Sequence, residues 1–223
     1  MLDHQKKLLE LLLVTGALKF GEFKTKSGRL SPYFVNTGNF CTGDSIRTLG
    51  LIYAEHIRVN KINTNQIYGP SYKGIPLAVA TAVAHSHNQY IGNDIFYSFN
   101  RKEAKDHGET GTIVGANFTE DSRVVIVDDV ITSGLSMDES FHVLEENGDP
   151  EVTGIVIAVD RMEVGLDGTY AIESIEKAYD VKVYPILTVH DILAGAKEMG
   201  KIDAEMERKI KAYIDLYGVK KQA

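Results

Sequence analysis

Val124-Val125-Ile126-Val127-Asp128-Asp129-Val130-Ile131-Thr132-Ser133-Gly134-Leu135-Ser136 is the stretch from which the fold is read. Its first four residues form a continuous apolar run bounded by charge, the pattern of a central strand buried on both faces of a parallel sheet. The run delivers two carboxylates to its carboxyl end, where ligands bind in open α/β sheets. The Thr-Ser-Gly turn that follows opens a helix, and the free backbone N–H groups at a helix start suit a phosphate. Thr132, Ser133 and Ser136 add hydroxyl donors. Carboxylates that accept hydrogen bonds from sugar hydroxyls, next to a turn that holds phosphate, describe a site for a ribose 5-phosphate. A lone Asp-Asp would more often just end a strand and cap a helix; the complete element shifts the reading to a site. The sequence lacks G-x-x-x-x-G-K-[ST] and G-x-G-x-x-G, which argues against a triphosphate P-loop and a dinucleotide fold.

Outward from this element, strands and helices alternate, which predicts an α/β fold with a mostly parallel sheet flanked by helices. Met137, Phe141 and Leu144 have helix spacing, and Gly148-Asp149-Pro150 stops that helix. Upstream, Gly43-Asp44-Ser45 caps a helix running towards Asn60, and Gln66-Ile67-Tyr68 is a short strand ending at Gly69-Pro70. Residues 74–85 are a small-residue helix close to the sheet, and Ile91 to Phe99 reads as a strand. Downstream come a strand over Gly154–Val159, a helix over 170–179, a strand over Val181–Leu187, and a terminal stripe of Met206, Ile210, Tyr213, Ile214 and Tyr217. At the amino end, Leu2, Leu9, Leu12 and Leu13 fall on one face of a helix that Gly16 ends. Lys19 to Asn36 holds one or two short strands with exposed loops. The whole chain, 1–223, is expected to be one domain, with residues 1–40 a helix and a small hood added to a core over 41–223.

Composition narrows the function. The chain is 43% apolar and 25% charged, as ordinary globular proteins are. Net charge is −7, which disfavours nucleic acid and anionic membrane as partners. The amino-terminal leucines are interrupted by Glu10 and followed by no cleavage pattern, so they are not read as an export signal. No apolar run reaches the ~18 residues of a spanning helix. Cys41 is the single cysteine, so neither an internal disulfide nor a cysteine zinc site is available. The expected setting is cytoplasmic.

Within this acidic chain, positive charge is concentrated. Arg101, Lys102, Lys105 and His107 crowd one segment, with Gly108, Gly111 and Gly115 behind them. A charge run alone is usually a solvated loop, but a glycine-flanked basic loop over 100–115 can also close on an anion and exclude water. Gly69-Pro70-Ser71-Tyr72-Lys73-Gly74 can present backbone N–H groups and one ammonium to a pyrophosphate. His85-x-His87 has metal-ligand spacing but no third ligand nearby. His4, His56, His142 and His190 read as isolated structural histidines.

The 124–136 element resembles the hallmark of the type I phosphoribosyltransferases. Ala17-Leu18-Lys19-Phe20-Gly21-Glu22-Phe23, Lys26-Ser27-Gly28-Arg29, Ser31-Pro32-Tyr33-Phe34, Gly69-Pro70, Tyr72-Lys73-Gly74-Ile75-Pro76 and Arg101-Lys102-Glu103-Ala104-Lys105-Asp106-His107-Gly108-Glu109 are similar, in order, to the orotate phosphoribosyltransferases. The resemblance runs from the first helix to at least Arg161 and more loosely beyond. It implies transfer of ribose 5-phosphate from 5-phosphoribosyl 1-pyrophosphate (PRPP) to orotate, in pyrimidine biosynthesis, with Mg²⁺ held mainly by substrate and water. It also implies a homodimer in which the mobile 100–115 loop serves the neighbouring subunit's site.

By the same resemblance, Lys105, His107, Asp128 and Asp129 are catalytic. These four, together with Lys26, Tyr72, Lys73, Arg101, Lys102 and the segment Val130, Ile131, Thr132, Ser133, Gly134, Leu135 and Ser136, bind PRPP. Lys26, Phe34, Val35, Thr132 and Arg161 bind orotate. Val35 stands where many relatives have a second aromatic, Leu135 and Ser136 where alanine and threonine are commoner, and Thr110 where glycine is frequent. Two alternatives stand beside this reading. A phosphoribosyltransferase for another nucleobase would leave the Lys26 to Phe34 block unexplained. A ligand-sensing regulator that binds nucleic acid would need a basic face or an added module.

Overall fold

The computed structural model describes residues 1–25, 27–87, 94–105, 111–132 and 134–220, with the side chains of 103–105 outside the description. Lys26, His107 and Ser133 therefore lie outside the described residues, as does the Lys105 side chain. In chain order the elements begin with α1 (Asp3–Val14), β1 (Leu18–Lys24), β2 (Leu30–Val35), α2 (Gly43–Val59), β3 (Gln66–Gly69) and α3 (Gly74–His87). They continue with β4 (Phe96–Lys105), β5 (Gly111–Gly115), β6 (Arg123–Asp128), α4 (Leu135–Glu146) and β7 (Glu151–Asp160). The chain closes with α5 (Ala171–Tyr179), β8 (Val183–Thr188), α6 (Val189–Glu198) and α7 (Ala204–Tyr217).

Alternation along β6 sets the layers. Val125 and Val127 point into one apolar cluster, with Leu8, Leu9 and Leu12 of α1, Leu49 and Tyr53 of α2, and Ile192 of α6. Val124 and Ile126 point into the other, against Met137 and Leu144 of α4 and Ile172 and Ile175 of α5. All four β6 residues are fully buried. Each contributes roughly 1.5–3 kcal/mol on leaving water, and only a strand covered by helices on both faces can bury every residue. The sheet is six-stranded in the order β5-β4-β3-β6-β7-β8, with β6 paired in parallel to β3 and β7. β4 and β8 extend the parallel set, and β5 is an antiparallel edge. β1 and β2 form a separate antiparallel hairpin, the hood, whose Leu18 and Tyr33 reach the α1 side of the core.

Several expectations are corrected. Of the strand expected at Ile91–Phe99, residues 91–93 lie outside the described residues, and β4 runs from Phe96 to Lys105. It carries Arg101 and Lys102, so the basic segment at 100–115 is in part an antiparallel β4–β5 hairpin and not simply a loop. On α1, Leu8 joins Leu9 and Leu12 in the core, whereas Leu2 stays exposed, because it precedes the first turn. The strand after α5 starts at Val183, and α6 was not expected. Thr188 and Asp191 cap it reciprocally: Thr188 N–H donates to Asp191 Oδ2 (2.8 Å) and Asp191 N–H to Thr188 Oγ1 (3.2 Å).

His4 and His56, expected to be isolated, are instead a buried pair between α1 and α2, joined Nε2 to Nδ1 at 2.9 Å. Burial lowers the proton affinity of both. The neighbouring His4 lowers that of His56 further, to a pKa of about 4. The unfolded chain therefore binds protons first as the pH falls below the ordinary histidine value of 6.5. Stability is lost from there down to about pH 4, where the folded state also protonates. A tenfold change in proton affinity is worth about 1.4 kcal/mol, so His56 alone is expected to account for about 3 kcal/mol of acid destabilisation. Urea unfolding between pH 7 and 4 checks this. His56→Gln should lose distinctly less stability over that interval than the parent, and equal losses would contradict it.

Candidate active site

β6 ends at the carboxyl edge of the sheet with Asp128, and Asp129 follows; both are buried. The turn closes on itself, Asp129 N–H donating to Asp128 Oδ1 and Val130 N–H to Asp129 Oδ1, each at 2.8 Å. The fully buried Tyr53 of α2 donates its hydroxyl to the Asp128 carbonyl at 2.8 Å, and Ala158 N–H of β7 donates to the Asp129 carbonyl at 3.0 Å. The strand end is thus pinned from a helix below and a strand beside it. Burial, and then the like charge of Asp129, pushes the Asp128 carboxyl well above the usual carboxylate range, and Lys73 only partly offsets this.

Lys73 Nζ donates to Asp129 Oδ2 at 2.7 Å. The lysine comes from the turn between β3 and α3, where backbones approach closely. A Cβ on Gly69 would lie 2.1 Å from the Gly74 carbonyl oxygen and 2.8 Å from Ala78 Cβ. The turn is tied to β4 by Ser71 N–H donating to Asn100 Oδ1 at 2.9 Å, and its Ser71–Tyr72 peptide bond is cis. Tyr72 is exposed, and Lys102 Nζ lies over its ring, 5.3 Å from the centroid. Since neither backbone nor Ala78 can yield easily, Gly69→Ala is expected to lower stability by about 3 kcal/mol. Chemical denaturation measures this, and a loss under about 0.5 kcal/mol would mean that the turn is not held by this contact.

On the other side of the acid pair, Val130, Ile131 and Thr132 lead to Gly134, which takes a left-handed conformation (φ +85°) that a residue with a Cβ rarely adopts. The Gly134 carbonyl accepts from Met137 and Asp138 N–H, opening α4, while Leu135 and Ser136 are exposed in its first turn. The backbone of residues 130–132 and 134–136 therefore lies at the same sheet edge as the carboxylates.

Towards the hood, Phe34 is exposed on β2 and its ring stacks on Phe23, centroids 5.5 Å apart. Val35 instead packs against the core. Arg161, directly after β7, is held by Glu163 Oε1 (Nη2 at 2.6 Å), by Ser31 Oγ (3.2 Å) and over the Tyr33 ring (4.8 Å). Arg29 reaches the Val164 and Gly165 carbonyls, so the hairpin is tied to the segment after β7.

The expected residues thus fall into two groups. Asp128, Asp129, Lys73 and residues 130–132 and 134–136 share one edge of the sheet, with direct contact between Asp129 and Lys73. Arg161 and the β2 strand that carries Phe34 are linked through Ser31 and Tyr33. Lys105 lies on β4, its backbone paired with Gly111. Sequence reasoning missed Thr37, whose hydroxyl donates to Asp129 Oδ2; Glu163, the partner of Arg161; and Tyr53, Asn100 and Asn39, which brace the frame. Thr188-x-x-Asp191 carried a legible capping signal; a lone Thr37 or Tyr53 carried none. An open cleft of about 690 Å³, lined by Met162, Thr188, His190, Ile214 and Asp215 among others, holds none of the expected site residues.

Residues 50–191 match the phosphoribosyl transferase domain family, so fold and site define a phosphoribosyltransferase. The orotate phosphoribosyltransferase of Proteus mirabilis is 42% identical over 219 residues, 98% of this chain and 100% of that protein. That of Lachnoclostridium phytofermentans is 41% identical over 225 residues, 98% and 99% of the two chains. The crystal structure of the Francisella tularensis orotate phosphoribosyltransferase is similar with a TM-score of 0.83 at 34% identity, covering 95% of this chain and 98% of that one. The chain belongs to the orotate phosphoribosyltransferase family. Among the described residues, no helix is long and apolar enough to cross a membrane.

Proposed function

We propose that the chain carries out its family's reaction at the carboxyl edge of β3, β6 and β7. It transfers ribose 5-phosphate from PRPP to orotate and releases orotidine 5′-monophosphate and pyrophosphate, a step of de novo pyrimidine (UMP) biosynthesis. The observation that carries this reading is the buried Asp128–Asp129 pair, bonded to Lys73 and followed by the Gly134 turn into α4.

The carboxylates accept hydrogen bonds from the ribose hydroxyls, and the 130–136 turn, with Thr132, Ser133 and Ser136, holds the 5′-phosphate on backbone N–H groups. Lys73, Tyr72, Lys26, Arg101 and Lys102 surround the pyrophosphate. Lys105 and His107 neutralise the charge that grows on it as the bond from C1 to pyrophosphate oxygen breaks. Orotate, held by Lys26, Phe34, Val35, Thr132 and Arg161, brings its ring nitrogen to C1 as the anion, and fixing both partners removes most of the entropic barrier. Val35 leaves Phe34 as the ring-stacking partner on that side.

Asp129 Oδ1 and Oδ2 already have protein donors, and among the described residues no group of three or more His, Cys, Asp or Glu converges. That donor set fits Mg²⁺ held mainly by substrate oxygens and water, with Asp128 and Asp129 on its water shell. Bound there, the ion would supply charge neutralisation for the pyrophosphate.

The protein works as a cytoplasmic homodimer, the 100–115 segment of one subunit completing its neighbour's site. The chain is one functional unit over 1–223, with residues 1–40 forming the hood over a core of 41–223. Steady-state turnover of PRPP with a panel of bases, with and without Mg²⁺, tests the reading. Orotate is expected to be consumed with Mg²⁺ present. Turnover of uracil or hypoxanthine in place of orotate would overturn it.

A further inference from the structure

We infer that Thr37 is a positioning residue that keeps Asp129 oriented for the ribose when Lys73 leaves it for pyrophosphate. The inference deepens the proposed reading of the Asp128–Asp129 site and rests on it.

Three segments distant in sequence meet at one oxygen. Asp129 Oδ2 accepts from Lys73 Nζ at 2.7 Å and from the Thr37 hydroxyl, while Lys73 Nζ also lies 3.5 Å from Thr37 Oγ1. The other oxygen, Oδ1, is taken by Val130 N–H. The lysine side chain is 60% exposed and that of Asp129 9%, so of this pair only the lysine has freedom to move out to a substrate. Once it does, Oδ2 of a buried carboxylate keeps a single protein donor, the Thr37 hydroxyl.

That hydroxyl is rigidly placed. Thr37 opens a 3-10 turn (Thr37–Asn39) directly after β2. The turn is anchored on both sides: Asn36 N–H donates to the Ala17 carbonyl at 2.7 Å, and Asn39 Nδ2 donates to the Thr15 and Gly16 carbonyls at 3.1 and 2.9 Å. The end of α1 and the hood strand that carries Phe34 thus fix a donor on the carboxylate across the site. The groups that face Asp129 are Asp128 beside it, Lys73 from the β3–α3 turn and Tyr53 from α2.

The test compares Thr37→Val, which keeps the shape, with Thr37→Ser, which keeps the hydroxyl. Thr37→Val is expected to raise KM for PRPP about tenfold, as befits a hydrogen bond to a charged group, with kcat changed less than about threefold. Thr37→Ser should restore KM to within about twofold. An unchanged KM in Thr37→Val, or a serine variant as impaired as the valine one, would overturn the inference. Asp129→Asn run alongside separates the two levels. If it is impaired while Thr37→Val behaves as the parent, only the role of Thr37 fails. If Asp129→Asn is itself unimpaired, the reading of the acid pair fails, and the inference with it.

Discussion

Asp129→Asn is expected to lower kcat/KM for PRPP by roughly 100-fold, with the melting temperature moving by no more than a few degrees. The substitution keeps the shape and removes the charge. Charge-assisted hydrogen bonds are worth about 1.5–3 kcal/mol each, and Asp129 would give up such a bond to a ribose hydroxyl along with its hold on Lys73. The new amide must also turn either its NH₂ or its carbonyl towards donors on both sides, Val130 N–H at one oxygen and Thr37 and Lys73 at the other, so one contact becomes repulsive. Stability changes little because the terms oppose each other. The like charge that pushes Asp128 upward disappears, and the lost ion pair is one whose lysine is largely solvated. Initial rates over a range of PRPP concentrations, with a thermal melt on the same sample, read both quantities. A variant within about threefold of the parent would mean that the acid pair caps the helix and does no more.

A larger loss in turnover is expected in the basic 100–115 segment. Lys105→Ala and His107→Ala should each lower kcat by about 10²–10³-fold, the scale on which removing a group that stabilises developing charge is felt. β4 runs parallel to β3 from Gln66↔Phe96 to Gly69↔Phe99, then continues past the β3 end and carries its basic residues towards the edge where Lys73 lies. Along it, Lys102 already meets Tyr72 of the β3–α3 turn. Truncating a charged or titratable side chain of this basic segment should leave the melting temperature within about 2 °C of the parent. Rapid mixing to measure a single turnover would place the loss in the chemical step. Near-normal turnover in both variants would remove the hairpin from the mechanism.

How much of this was legible follows from where the signals were local. β6 and α4 could be read because an apolar run between Arg123 and Asp128, and then Met137, Phe141 and Leu144, each match one period; both were buried much as expected, though Phe141 only partly so. β4 was misplaced because its second half, Asn100-Arg101-Lys102-Glu103-Ala104-Lys105, has no apolar alternation. Pairing with β5 at the edge of the sheet makes it a strand, and a partner that lies later in the chain leaves no mark on the segment itself. α6 was missed because it begins directly at the end of β8, with no glycine or proline between them; only the Thr188–Asp191 cap announced it. The acid pair, Lys73 and the Gly134 turn were found because they sit in contiguous motifs. Thr37 and Tyr53 were not, because each works through a partner 75 or more residues away (Asp129 and Asp128), and long-range pairing leaves no spacing to read. The His4–His56 pair escaped for the same reason, being 52 residues apart.

The central claim is that PRPP lies along the carboxyl edge of β6 with its ribose on the acid pair, and a crystal structure of the protein with PRPP and Mg²⁺ tests it most directly. The account predicts both ribose hydroxyls on Asp128 and Asp129, the 5′-phosphate on the backbone of residues 131–136, and Lys73 turned from Asp129 to the pyrophosphate. A ribose out of hydrogen-bond reach of both carboxylates, or a 5′-phosphate away from that turn, would contradict it.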